Sequence, residues 1–392
     1  MPVEVVFRRV ASLYEQGWLE PARQLAMDVL RQAPAHLPTL FSLSDALREL
    51  GRFDDALKVL SRIRQIDPAN VRAAAAIALT LFYKQDWPRA WRAYDVRFKL
   101  MKAPKVTARA RDGRERAMQV WRGGAVPASV LVMAEQGFGD IIQFARFLPL
   151  VAERAKVRLV APPVLFPLLW TLDAPVELLP NDRPGSVAGV QAWTPLLHLP
   201  RALGLDQDAD GLAPKIPYLR AEPERVARRR AQVGPDGFKI GIAWQGNPDK
   251  RIDSGRSAPL AAFAPLAEIP GARLISLQKG AGERDVEAVP FAVELHNRDI
   301  DIANDGFRET AALIEAVDLT IAVDSAVAHL AGALGRPVLI LLKRLGADWR
   351  WLFGRDDSVW YPTARLMRQA RPGDWSDLLG RVAAEVRRRM TS

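Results

Sequence analysis

Apolar and small residues return every 34 positions along the first hundred residues of the chain. Leu13, Leu47 and Leu81 align, as do Leu19, Phe53 and Trp87; Ala22, Ala56 and Ala90; and Ala26, Leu60 and Tyr94, with Pro34 and Pro68 on the same period. Alanine at a fixed register lets two helices approach closely, the larger positions fill the space between them, and the prolines end each second helix. The pattern predicts a solenoid of helix pairs over residues 1–102, its first copy degenerate like a terminal repeat. Residues 103–127, which take in most of a Lys- and Arg-rich stretch from Lys102 to Gly124, break the pattern and read as a linker.

After Pro127 short apolar runs alternate with helical stretches. Strands are expected at 129–134, 157–161 and 176–179, with helices at 140–155 and 164–172 between them. Four prolines (Pro214, Pro217, Pro223, Pro235) mark a boundary, beyond which the alternation restarts. Strands are then expected at 239–244, 273–277, 319–323 and 337–342, and helices at 260–268, 307–317, 326–334 and 375–390. Such alternation produces parallel sheets covered on both faces. The expected fold class is therefore α followed by α/β: a solenoid, then sheet domains over 128–220 and 236–392. A cleft should lie between the two domains, lined by loops at the carboxyl ends of the strands.

Length and composition narrow the chemistry. A chain of 392 residues exceeds one ordinary core. No apolar stretch approaches the ~18–20 residues of a membrane-spanning helix, and the first residues lack the layout of a signal peptide; a cytoplasmic protein with no membrane span is expected. The absence of cysteine excludes disulfides, zinc–thiolate sites and thiol nucleophiles. Four histidines (His36, His198, His296, His329) do not suggest a multi-histidine metal site; the sequence offers no convincing metal motif, and no cofactor is expected. The net charge of +10 suits an anionic partner. The arginines are spread over all regions, Arg228 to Arg230 read as a solvated helix face, and no aromatic–basic module suggests nucleic acid.

Two stretches carry candidate chemistry. In Val132 to Phe144 an apolar run stops at Glu135-Gln136-Gly137-Phe138-Gly139 and restarts as a helix led by Asp140. The glycines let backbone pass close to a ligand. A dinucleotide cradle would need a third glycine where Ile142 stands, and Asp140 as a helix cap is an alternative. In Val323 to Pro337 a strand delivers Asp324 and Ser325 to a helix that begins with Ala326 and carries His329 at i+4 from Ser325. Free amides, a hydroxyl and small side chains at a helix start suit a diphosphate; the alternative is a simple cap with a packed histidine. Two further loops follow strands of the same domain and should converge there. One carries Trp244, Gly246, Asn247, Arg256 and Ser257, the other Gln278 and Lys279. Arg256 and Lys279 would add positive charge beside an anionic ligand. Asp299-Ile-Asp301 has the form of a metal motif but reads as a polar loop.

With these motifs in view, the first hundred residues resemble tetratricopeptide repeats. From about residue 128 the chain resembles bacterial glycosyltransferases of the GT-B type related to the ADP-heptose:lipopolysaccharide heptosyltransferases (glycosyltransferase family 9), in the branch fused to such repeats. The resemblance rests on Glu135 to Asp140, Trp244 to Pro248 with Arg256-Ser257, Ser276 to Gly280, Val323 to Val338, Asp348 to Trp351 and Trp360 to Thr363. The sequence departs from the pattern at Asp249-Lys250 and at Lys343. The resemblance implies two Rossmann-like domains and a nucleotide-sugar donor held by the second without a metal. It also implies Asp140 as the base for an acceptor hydroxyl once the domains close.

The expected function is sugar transfer from a nucleotide-diphosphate sugar to a hydroxyl, on a protein presented by the repeats. Flagellin or another surface protein is the candidate acceptor by analogy. Two rival readings stay open: a non-catalytic scaffold with a degenerate transferase half, and a heptosyltransferase-like enzyme acting on a glycolipid. The repeats also offer a surface for self-association. They are expected to be separable, so that removing residues 1–100 leaves nucleotide binding intact.

Overall fold

The computed structural model describes residues 3–100, 106–109, 115–182, 189–212, 215–249, 253–298, 300 and 307–391. The expected loop around Asp299 and Asp301, and Lys250, lie outside them.

The solenoid is formed by α1 (Val3–Glu15), α2 (Leu19–Gln32), α3 (Leu37–Glu49), α4 (Phe53–Ile66), α5 (Val71–Tyr83) and α6 (Trp87–Tyr94). Ala22, Ala56 and Ala90 are fully buried, which is the close approach their register demanded. The turn inside each pair uses positive φ at Gly17, Gly51 and Gln85, again 34 residues apart. Two small cores lie between successive pairs, one around Val10 and Leu47 and one around Leu40 and Leu60 that reaches Ala73 of α5. The end of the solenoid packs elsewhere. Leu81, Phe82, Trp87, Ala90 and Trp91 belong to the same continuous core as both sheets.

Helix α7 (Arg97–Leu100) leads to a hairpin of β1 (Thr107–Arg109) and β2 (Glu115–Ala117), paired antiparallel. The first sheet has the order β3 (Gln119–Val120), β7 (Ala192–Pro195), β4 (Ser129–Met133), β5 (Lys156–Ala161), β6 (Val176–Pro180), all parallel. Part of the expected linker is thus strand, and β3 supplies an edge to the sheet. The second sheet has the order β12 (Ala364–Arg368), β11 (Val338–Leu342), β10 (Leu319–Val323), β8 (Phe238–Ala243), β9 (Ala272–Ser276), also parallel throughout.

Three expected helices are shorter than their periodicity suggested. The stretch 140–155 is α8 (Phe138–Phe144), a 3-10 turn and a second short helix at Leu148–Ala152. Pro149 cannot donate to the carbonyl four residues earlier and its ring crowds it. Pro167 and Pro265 act likewise, leaving regular α-helix only at Phe166–Leu169 and Ala264–Ala267. The other helices that position the site are α9 (Pro223–Val233), α10 (Arg308–Ala316), α11 (Ala326–Ala333) and the closing α12 (Trp375–Thr391).

Of Arg228 to Arg230, expected as a solvated helix face, Arg228 and Arg230 are exposed and Arg229 is not. Arg229 is buried and donates through Nε to Glu309 Oε2 of α10 at 2.7 Å, and Arg225 and Arg228 bond the same carboxylate. A buried carboxylate that satisfies several guanidinium groups fixes α9, which joins the two sheets, against the second. Among the described residues no helix is long and apolar enough to cross a membrane.

Candidate active site

Strand β10 ends at Val323 and α11 begins at Ala326, so Asp324 and Ser325 form the corner between them. Ser325 takes the N-cap position in an extended conformation (φ −153°, ψ 171°) but makes no capping hydrogen bond. Its Oγ is buried with no partner among the described residues. The first amides of α11 have no intrahelical acceptor, as at any helix start. Asp324 is pushed up to about 6 by burial and by the neighbouring Asp348, against the pull of Arg256 and Arg350. His329 is buried, its Nδ1 2.9 Å from the Tyr361 hydroxyl, its ring stacked on Trp351 at 5.2 Å, and its Nε2 4.0 Å from Asp324 Oδ1. Burial, together with the charges of Arg350, Arg146 and Arg256, holds its pKa well below the usual range. The imidazole is therefore neutral near pH 7, a packed polar group and not a cation.

Helix α8 of the first sheet domain meets this corner directly. A Cβ on Gly139 would lie 2.7 Å from His329 Cδ2 and 3.5 Å from Ala326 Cα. Only glycine lets the two helix starts touch. Asp140, one residue on, accepts from Gly137 N through Oδ2 at 2.9 Å and from Arg350 Nη2 through Oδ1 at 2.5 Å. Its carboxylate is thus both a cap and half of an ion pair. Burial raises its pKa and Asp348 adds to that, while Arg350 and the Gly137 amide oppose them.

The loops after β8 and β9 complete the corner. The Arg256 guanidinium lies so close over Gly246 that a Cβ there would come within 3.0 Å of its Nε and Nη2. Arg256 Nε is buried without a hydrogen-bond partner among the described residues. Gly246 N donates to Ser257 Oγ at 3.1 Å, and Ser257 Oγ bonds Asp253. Asn247 is exposed and closes a turn on Asp249 N at 2.9 Å. Gln278 is buried and accepts from the backbone amides of Trp244 and Gln245 at 3.1 and 2.9 Å, tying the two loops together. Trp244 is wholly buried, with its indole N–H on Asp285 Oδ2 at 2.9 Å.

The charge of Lys279 is balanced inside its own loop, because Nζ lies 2.9 Å from Glu283 Oε2 and 3.2 Å from the Asn297 carbonyl. Lys343 instead faces the corner: Nζ donates to the Ser254 carbonyl at 2.9 Å, burial lowers its pKa, and Asp324 and Asp253 draw it back up.

Glu135 and Gln136 bond to helices that precede the first sheet. Glu135 is buried against Arg97 of α7, 3.2 Å from its Nε, and accepts from Leu197 N at 3.1 Å. Gln136, with φ at 64°, donates to the Tyr94 hydroxyl at 2.9 Å. Both bind the solenoid to the first sheet.

The residues that organise the corner most strongly, Asp348 and Arg350, were visible in the sequence only as part of a matching motif. Arg350 is buried and bonds Asp348 Oδ1 and Oδ2 at 2.9 and 3.1 Å, Gln143 Oε1 at 2.7 Å and Asp140. The signal was an ion-pairing couple set among tryptophans, in a stretch too apolar to leave a charge in water. Among the described residues no group of three or more His, Cys, Asp or Glu side chains could hold a metal ion.

A helical solenoid, two parallel five-stranded sheets and a corner where helix starts of both sheets meet define the GT-B class of architecture. Residues 13–80 match the tetratricopeptide repeat, and residues 278–343 match glycosyltransferase family 9 (heptosyltransferase). The chain thus has one stretch that matches tetratricopeptide repeats and, further on, one that matches a family 9 glycosyltransferase domain. Protein FlbA of Caulobacter vibrioides is 28% identical over 320 residues, covering 76% of this chain and 52% of that protein. The chain thus spans about half the length of this curated relative. Among solved structures, Escherichia coli ADP-heptose LPS heptosyltransferase II is similar at 16% identity and a TM-score of 0.48, over 66% of this chain and 98% of that one. An O-GlcNAc transferase of Thermobaculum terrenum is similar at 13% identity and a TM-score of 0.26, over 88% and 83%.

Proposed function

We propose that the chain moves a sugar from a nucleotide-diphosphate sugar to a hydroxyl of an acceptor, at the corner where α8 meets α11. The observation that carries this reading is the pair of unsatisfied polar atoms there. Ser325 Oγ, at the start of α11, and Arg256 Nε, whose guanidinium acts on the adjacent Asp324, are buried without partners among the described residues, and the first amides of the helix lack an intrahelical acceptor. Each buried polar atom without a partner calls for an explanation, and a bound anion would supply one for both. One ligand that suits a hydroxyl, a guanidinium and helical amides together is a diphosphate.

In this reading the acceptor hydroxyl gives its proton to Asp140 as its oxygen attacks the anomeric carbon. The bond from that carbon to the diphosphate oxygen breaks, and the nucleotide diphosphate leaves with the electron pair. Its charge is met by the α11 amides and Arg256, which are in place before the reaction. Arg350 orients Asp140, and the burial of the carboxylate keeps it more basic than an exposed aspartate.

The acceptor is a protein presented by the repeats in our reading, with flagellin or another surface protein as the class to try first. Support comes from the repeats themselves, whose stacked helices elsewhere hold peptide. The test is to incubate the full chain with ADP-, UDP-, GDP- and dTDP-sugars and candidate acceptors, and to read the acceptor mass. Addition of one sugar mass supports the reading; donor hydrolysis alone, or sugar on a glycolipid only, removes the protein acceptor.

A scaffold without turnover is favoured by one observation: both oxygens of Asp140 already have partners. It predicts that no nucleotide sugar binds.

A further inference from the structure

One 3-10 turn, Trp349–Trp351, sends three consecutive side chains into three parts of the molecule. Trp349 lies in the solenoid: its ring stacks on Phe82 of α5 at 3.8 Å and 19°, and meets the edges of Trp91 and Tyr94 at 5.7 and 5.9 Å. Arg350 crosses to Asp140 and Gln143 of α8. Trp351 stacks on His329 of α11.

The chain that leads into this turn, from Lys343 after β11, is held largely by the repeats. Gly346 N donates to Glu49 Oε1 at 2.9 Å, Arg344 Nη1 lies 3.6 Å from Glu49 Oε2, and the Tyr83 hydroxyl donates to the Ala347 carbonyl. Beyond the turn, Phe353 meets the edge of Phe53 at 5.6 Å. A charged side chain on a loop is held only as well as the loop backbone beneath it. Here Arg350 has Trp349 as its neighbour in sequence and its guanidinium 4.7 Å from that ring, so the ring clamped by the repeats sets where the guanidinium starts. A displacement of ~1 Å at such a group is enough to cost a large factor in rate.

We infer that Phe82, Tyr83 and Glu49 are positioning residues of the transferase site: the repeats clamp the segment 344–349, and so place Asp348 and Arg350 against Asp140 and Asp324. The kinetic half of this inference rests on the proposed transferase reading; the mechanical half does not. None of the three touches the reacting atoms in this scheme. They act through Trp349 and the backbone at Gly346 and Ala347.

The test uses the full chain with Phe82→Ala, Phe82→Leu and Tyr83→Phe, and with Trp18→Ala as a control at an exposed position of the first repeat. Two readouts are taken: amide hydrogen exchange, and steady-state turnover of whichever nucleotide sugar is a donor, with its affinity. Phe82→Ala is expected to speed exchange at 344–352 and in the first turn of α8, while α12 keeps its protection. Turnover should fall at least ~10-fold while donor affinity moves much less, because the α11 amides sit on another element. Phe82→Leu should recover most of both, Tyr83→Phe should loosen 345–349 alone, and Trp18→Ala should change nothing. Should Phe82→Ala fail to fold, the two milder variants carry the test. Wild-type exchange at 344–352 in all folded variants overturns the inference, as does a loosened turn with unchanged turnover. If wild-type protein turns over no nucleotide sugar while the exchange pattern shifts as expected, the transferase reading falls and the mechanical link stands.

Discussion

Arg350 Nη2 lies 2.5 Å from Asp140 Oδ1, and this bond joins the second sheet to the first at the point where their helix starts touch. Asp140 is therefore a strut as well as the proposed base, and its two roles separate under substitution. Asn in its place keeps the size and the cap but loses basicity and the charge that faces Arg350.

Asp140→Asn is expected to lower turnover by at least ~10². It should also lower stability by about 1–3 kcal/mol, since Arg350 keeps Asp348 and Gln143 as partners. Thermal melting and steady-state rates on the same preparation check both. A variant that melts early while its folded fraction turns over normally would leave Asp140 as a strut only.

The pH dependence of donor binding follows from Asp324. Its pKa is raised from 3.8 to about 6 by burial and by Asp348. The folded state thus holds the proton more tightly than the unfolded chain. The stability this confers is fully present below 3.8 and lost as pH rises through about 6. Protonation also removes a negative charge beside the proposed diphosphate site. Nucleotide-sugar affinity is expected to rise about threefold to tenfold between pH 7.5 and pH 5.5, and Asp324→Asn should flatten the dependence. The intact sugar nucleotide is the right probe, because its diphosphate has no proton to exchange in that window. A profile unchanged by Asp324→Asn would assign the titration elsewhere.

Much of this molecule was legible in its sequence, and the rest was hidden for physical reasons. The 34-residue period located the buried alanines and the helix pairs, because a repeat states its packing rule three times. The apolar strands around β4 and β10 were equally plain, and so was the corner that follows each. Strands β7 and β12 were not expected: one is four residues ending in proline, the other carries an arginine near each end. The solenoid's dependence on the sheets was invisible. Phe82 and Trp349 are separated by hundreds of positions, and nothing in either neighbourhood announces that their rings meet. For the same reason the sequence did not show that Glu135 and Gln136 bond Arg97 and Tyr94.

That dependence reverses the expectation that the repeats are separable. Removing residues 1–100 would expose Trp349, Phe144 and Trp121, which share one core with Phe82 and Trp91, and would take Arg97 away from Glu135. The fragment 101–392 should therefore be insoluble or melt without cooperativity, as read by circular dichroism and calorimetry. A fragment that melts cooperatively near the full chain's temperature would restore the modular reading.

Calorimetric titration of wild type and Ser325→Tyr with ADP-, UDP-, GDP- and dTDP-sugars asks whether a nucleotide-diphosphate sugar sits on the start of α11. A tyrosine at the N-cap fills the space before the free amides while leaving the backbone of α11 in place. The account predicts that at least one sugar nucleotide binds wild type, and that Ser325→Tyr loses at least ~10-fold in affinity with its melting temperature little changed. His329→Ala should lose less, since the amides remain. Equal affinity in folded Ser325→Tyr, or no binding of any sugar nucleotide by wild type, would contradict it.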